Sequence, residues 1–110
     1  MTGRKDNLQS SASFLETLEG VIHERMRCPV DGSYVSRLIR GGNRRLAQKV
    51  GEEAVELVIA ATAVDRDEQV EEAADLLFHL LVLLNCNGIR LADVVHVLAQ
   101  RRRARPERDS

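Results

Sequence analysis

Apolar residues return along this chain at intervals of three and four, and no stretch alternates apolar and polar at the period of a strand. The pattern predicts an all-α protein, a bundle of about four to five helices. SFLE (13–16) reads as a capping box, in which Ser13 accepts from backbone N–H groups and Glu16 reaches back. It opens a helix over about 13–27, with Phe14, Leu18, Val21 and Ile22 as the apolar stripe. The loop CPVDGS (28–33) follows, because proline and Asp-Gly both break helices. A short helix over 33–40 ends at Gly41-Gly42. Asn43 is the predicted cap of a long helix over about 43–64. Asp65-Arg66-Asp67 is a turn, with one of its aspartates capping a helix over about 67–86. Asn87-Gly88 stops that helix, and a last one runs from Leu91 to about Arg103. Residues 1–10 and 104–110 are expected to be disordered, leaving a single domain in residues 1–110.

The polar faces of the two long helices are unlike those of the others. At about 100° per residue, Lys49, Glu52, Glu53 and Glu56 share one stripe about 100° wide. Leu46, Val50, Ala54, Leu57, Val58 and Ala61 fill the opposite side. Gly51 lies inside this helix at a cost of about 1 kcal/mol relative to alanine, which suggests a close neighbour. In the next helix Glu68, Glu72, Asp75 and His79 form one polar line. Beyond it, residues 76–84 are apolar apart from His79. A helix apolar around most of its girth must be covered on several sides. In so short a chain this predicts a core completed by oligomerisation, as a homodimer or a dimer of dimers with this helix near the interface.

Charge sharpens the picture. Residues 51–100 carry ten acids against two bases, although the whole chain sums to −1. Clustered acids repel unless a cation joins them. A set of carboxylates alone suits a hard divalent ion, Mg²⁺ or Mn²⁺, and hence phosphate chemistry. The bland alternative is a solvated acidic face. Lys49 either pairs with Glu53 one turn on or holds a phosphate. His79 reads as a satisfied core histidine, since Mg²⁺ prefers oxygen. The five arginines of residues 101–110 read as a solvated tail with no nucleic-acid role, as no aromatic residue lies among them. Cys28 and Cys86 have no metal-ligand spacing; a disulfide between them stays open, and free thiols in a reducing compartment are the simpler reading. With no apolar signal segment and no run near the roughly 20 residues of a membrane span, the chain is expected to be cytoplasmic and free of membrane.

Four segments carry a resemblance: SYVSRL (33–38) with the glycine pair after it, AQKVGEEAVELVIAA (47–61), VEEAADLLFHLLVLL (70–84) and NGIRLADV (87–94). Together they resemble the phosphoribosyl-ATP pyrophosphatase family, a branch of the all-α nucleoside triphosphate pyrophosphohydrolases whose metal motif is EExxE followed by ExxD. The resemblance spans about residues 13–100. It implies Glu52, Glu53, Glu56, Glu72 and Asp75 as metal ligands, and Ser33, Tyr34 and Lys49 near the substrate phosphates or ribose. It implies Mg²⁺-dependent hydrolysis of phosphoribosyl-ATP to phosphoribosyl-AMP and pyrophosphate, the second step of histidine biosynthesis. Glu53 and Glu56 are the candidate catalytic acids, with the division between ligand and base left open. Two positions depart from the pattern. Val35 stands where threonine is common, and Arg90 stands where a capping serine is, which should weaken the last helix's start. The family also contains fusions to the next enzyme of the pathway, and this chain is expected to be a stand-alone form. The competing readings are a house-cleaning nucleotide pyrophosphatase and a catalytically silent helical dimerisation module.

Overall fold

The computed structural model describes residues 3–105 and 107. Five helices make up that chain: α1 (Gly3–Arg27), α2 (Tyr34–Gly41), α3 (Asn43–Thr62), α4 (Arg66–Cys86) and α5 (Leu91–Ala104). Four of them begin and end within about two residues of the sequence expectation. The first does not. It starts at Gly3, so the tail expected to be disordered over 1–10 is helical from there, and Met1 and Thr2 lie outside the described residues. Residues 3–13 contain no proline, and extending a formed helix costs far less than nucleating one. Ser13 therefore sits inside a helix and cannot open a capping box. Of the tail expected to be disordered over 104–110, Ala104 closes α5, and Pro106 and residues 108–110 lie outside the described residues.

The turns explain the other boundaries. Ser33 Oγ accepts the Ser36 N–H at 3.2 Å and caps α2. Gly42, at φ 88°, ends α2 and takes the capping position of α3 that Asn43 was expected to fill. A left-handed backbone suits glycine, so the cap moves one residue back. Asn43 instead accepts the Asn87 side-chain N–H at 2.7 Å, tying the start of α3 to the end of α4. A three-residue turn joins α3 to α4, so the two run antiparallel. It is a Schellman closure: Asp65 N–H reaches Ala60 O and Val64 N–H reaches Ala61 O, both at 3.2 Å. Val64 takes the left-handed position at φ 57°, which costs a β-branched residue about 1–2 kcal/mol. Asp65 Oδ1 then caps α4 through the Glu68 N–H at 3.1 Å. A second Schellman closure, with Gly88 at φ 75°, ends α4.

The core lies at one end of this arrangement. Ile22 from α1, Val35 and Leu38 from α2, Leu46 from α3, and Leu81 and Val82 from α4 are its buried residues. Thus the start of α3 and the apolar end of α4 are covered by α1 and α2, all within one chain. The other halves of α3 and α4 project as a helical hairpin. On it Val55, Val58 and Ile59 are 58–61% exposed, and Val70 and Leu77 are exposed too. Of residues 76–84, Leu81 and Val82 are core and Phe78 and Leu83 pack against it, while the most exposed apolar side chains of the hairpin's two helices lie on α3. The radius of gyration is 16.1 Å, against about 13 Å for a packed domain of this length.

One buried polar link holds α5. Glu19 Oε2 accepts the Asn85 side-chain N–H at 3.0 Å and the Leu91 backbone N–H at 2.7 Å. Arg90 supplies no side-chain cap, as its departure from the family pattern implied. Glu19 caps the helix from 72 residues away, and Asp93 closes the other half by accepting the Arg90 N–H at 2.9 Å.

Candidate functional site

The acids meet in the cleft between α3 and α4. A cavity of about 300 Å³ is lined by Glu56, Glu68, Glu72 and Asp65, with Ile59 and Ala60 on its apolar side. Glu56 faces Glu72 across the hairpin. Its carboxyl, then burial, then the charges of Glu56, Asp75 and Glu68 push the Glu72 carboxyl up to about 7. Glu72 Oε2 is buried without a hydrogen-bond partner. Two carboxylates cannot both ionise at such range unless a proton or a cation lies between them.

Glu53 lies further along α3 and is nearly covered, its side chain 13% exposed. Its Oε1 is also buried without a hydrogen-bond partner, although it sits 2.5 Å from His79 Nδ1. The same nitrogen lies 2.8 Å from the Asp75 carbonyl, so Glu53 and that carbonyl compete for one ring N–H, and the Glu53 oxygen sits against the imidazole at ion-pair distance. The other members of the expected set are less gathered. Glu52 is exposed and accepts the Gln48 side-chain N–H at 3.0 Å. The Asp75 side chain is exposed and acts on Glu72 through charge. Among the described residues, no three His, Cys, Asp or Glu side chains converge closely enough to hold an ion as they stand. The donor chemistry still fits a hard divalent cation: oxygen atoms only, mutually repelling, with two orphaned acceptors.

The phosphate-side candidates lie next to this. Lys49 is half-buried on the acidic stripe of α3 and makes no ion pair among the described residues, so the simple Lys49–Glu53 pair does not form. Ser33 is occupied as the cap of α2. Tyr34, one residue on, donates or accepts through its hydroxyl at 2.8 Å from His79 Nε2. Its ring stacks on Phe78 at 5.9 Å, and the Arg37 guanidinium lies 5.4 Å from the ring centre. Helical periodicity gave no sign of the Tyr34–His79 link, because it joins residues 45 apart. Arg37 was equally hidden, since one arginine on a short exposed helix has no pattern. The one visible signal was His79 itself, a lone polar residue in an apolar run.

Cys28 and Cys86 are free thiols, and burial pushes the Cys86 thiol up, away from reactivity. No single helix among the described residues is long and apolar enough to cross a membrane.

A family model described as phosphoribosyl-ATP pyrophosphohydrolase matches residues 15–102, a span that contains every residue discussed above for the cleft. The chain is similar to the phosphoribosyl-ATP pyrophosphatase of Pyrobaculum arsenaticum, 52% identical over 93 residues, covering 84% of this chain and 99% of that protein. The enzyme of the same name from Pyrobaculum neutrophilum is 50% identical over the same shares. It is also similar to the histidine biosynthesis bifunctional protein HisIE of Vibrio cholerae, 44% identical over 93 residues, but there it spans only 44% of the relative.

Proposed function

The chain belongs to the phosphoribosyl-ATP pyrophosphohydrolase family, and from that membership we propose that the α3–α4 cleft hydrolyses phosphoribosyl-ATP to phosphoribosyl-AMP and pyrophosphate, the second step of histidine biosynthesis. The observation that carries this reading is the Glu56–Glu72 pair, forced together in a cleft with an orphaned oxygen and pushed up to about 7 on the Glu72 side. A site that gathers this much negative charge is suited to a substrate that arrives with a divalent cation.

Glu56, Glu72, Glu53 and Asp75 are the residues to hold Mg²⁺, or Mn²⁺ in its place, with Glu52 able to join by turning away from Gln48. When bound, such an ion neutralises developing charge on the phosphates and acidifies a water molecule. The protein's own groups do the rest. Lys49 makes no ion pair among the described residues and shares the stripe of the acids, where it binds a phosphate oxygen as a point charge. Glu53, set against a buried imidazole, is placed to orient the attacking water or take its proton. Water attack at the bond between the α and β phosphates leaves the proton on the base and pyrophosphate as the leaving group. The free thiols suit a cytoplasmic setting.

Two measurements test this reading. Mg²⁺ or Mn²⁺ should raise the melting temperature, because a ligand bound only by the folded chain stabilises it by about 2.7 kcal/mol at one hundred times its Kd. For a domain of this size that is a shift of roughly 10 °C or more. A melting curve unmoved up to saturating metal would favour a silent dimerisation module. Second, Lys49→Ala should lower kcat/KM by about 10–100-fold, the loss expected for one charge-assisted phosphate contact. Removing residues 104–110 should leave it near the wild-type value. The reverse outcome would move the phosphate site off α3.

The bare hairpin belongs to the same reading. We place a second copy of the chain over the apolar face of Val55, Val58 and Ile59, completing the core as a homodimer or a dimer of dimers.

A further inference from the structure

We propose that His79 is a positioning residue, which ties the Tyr34 hydroxyl on the substrate side to the Glu53 carboxylate on the acidic side. This rests on the cleft reading above, and it goes further by assigning work to a residue that has no contact with phosphate or metal in that reading.

His79 is 4% exposed and interrupts the apolar run of residues 76–84. An imidazole buried there is costly unless its nitrogens are satisfied. One hydrogen bond to the carbonyl four residues back would go far towards that, yet both nitrogens are engaged. The Asp75 carbonyl can only accept, so Nδ1 carries the hydrogen. In the neutral ring Nε2 is then an acceptor, and it receives the Tyr34 O–H at 2.8 Å. The Nδ1–H edge also lies 2.5 Å from Glu53 Oε1, so the Asp75 carbonyl and the Glu53 carboxylate share it. Glu53 is thereby held in place by the ring. The ring itself is clamped: Phe78 meets it edge-on at 5.1 Å and Tyr34 meets it edge-on at 5.8 Å. Tyr34 stacks in turn on Phe78 at 5.9 Å, so the three rings constrain one another. One face of this assembly reaches the exposed Tyr34 and Arg37, and the other reaches the carboxylate of Glu53. The imidazole thus sets the orientation of a group on each side.

Two substitutions separate the two edges of the ring. Asparagine keeps an N–H near the position of Nδ1 and loses the reach to Tyr34. Glutamine reaches the Nε2 position and loses the Nδ1 contact. The readouts are Mn²⁺ affinity of the free protein, KM and kcat for phosphoribosyl-ATP, and melting temperature. His79→Asn should bind Mn²⁺ as the wild type does and raise KM, matching Tyr34→Phe, with the double variant no worse than either alone. His79→Gln should keep KM and weaken Mn²⁺ binding by about 10-fold or more, as expected when a group behind a metal ligand is lost. If the two variants lose Mn²⁺ affinity and KM together, in step with melting temperature, His79 is merely structural and the proposal is wrong. It is equally wrong if neither quantity moves. Should both His79 variants fail to fold, Tyr34→Phe decides: a raised KM supports the link, and an unchanged KM overturns it. A wild-type protein that neither binds Mn²⁺ nor releases pyrophosphate would instead sink the cleft reading, a distinct result.

Discussion

Glu56→Gln should retain the fold and lower kcat by about 10²–10³, the loss typical of one catalytic electrostatic contact. The substitution keeps the side-chain shape. It also removes the charge that Glu72 faces across the hairpin, so the metal-free protein gains rather than loses stability. Activity and stability should therefore move in opposite directions, which simple damage to the fold would not produce. Steady-state kinetics over a Mg²⁺ series, with a melting curve on the same sample, provides the check. Near-normal turnover with unchanged Mg²⁺ dependence would count decisively against Glu56.

Val58→Asp is the second change expected to have a large effect, on assembly. Val58 is 61% exposed and its neighbours Val55 and Ile59 nearly as much, so within one chain an aspartate there meets water and costs little. Under a second copy the same carboxylate would be buried unpaired, a penalty of about 3 kcal/mol or more and some 10²-fold in Kd. Sedimentation should find the wild type at twice its 12.3 kDa chain mass or above and the variant shifted towards one chain. Leu80 and Leu84 are poorer probes, because both are already half-buried within one chain and an acid there would mix folding with assembly. A clean wild-type monomer at micromolar concentration would contradict the assembly.

Much of this was legible before any coordinates. The spans of α2 to α5 follow from apolar periodicity and from Gly42, Asp65 and Gly88, because those signals are local. The acids of α3 and α4 were visible as stripes for the same reason. Contacts between distant residues were not. Periodicity says that residues 76–84 are covered, but not that the chain's own α1 and α2 supply the core around Leu81 and Val82. Asn43 looked like a cap because its type suits one; the backbone at Gly42 took that place and left the Asn43 side chain for Asn87. Glu19 carries no local signal, yet it lies on the inner stripe with Leu15, Leu18 and Ile22 and caps α5. His79 was read as a core histidine, which its burial bears out; its partners Tyr34 and Glu53 come from two other helices and leave no trace in spacing.

Action of this acidic cleft on phosphoribosyl-ATP with a divalent cation can be measured as product. Its most direct test is the initial rate of pyrophosphate release from phosphoribosyl-ATP, ATP and dUTP at equal concentration, each with Mg²⁺ and with chelator. The account predicts release from phosphoribosyl-ATP alone at a substantial rate, abolished by chelator and restored by Mg²⁺ or Mn²⁺. Equal or faster release from ATP or dUTP, or release from phosphoribosyl-ATP that persists in chelator, would contradict it.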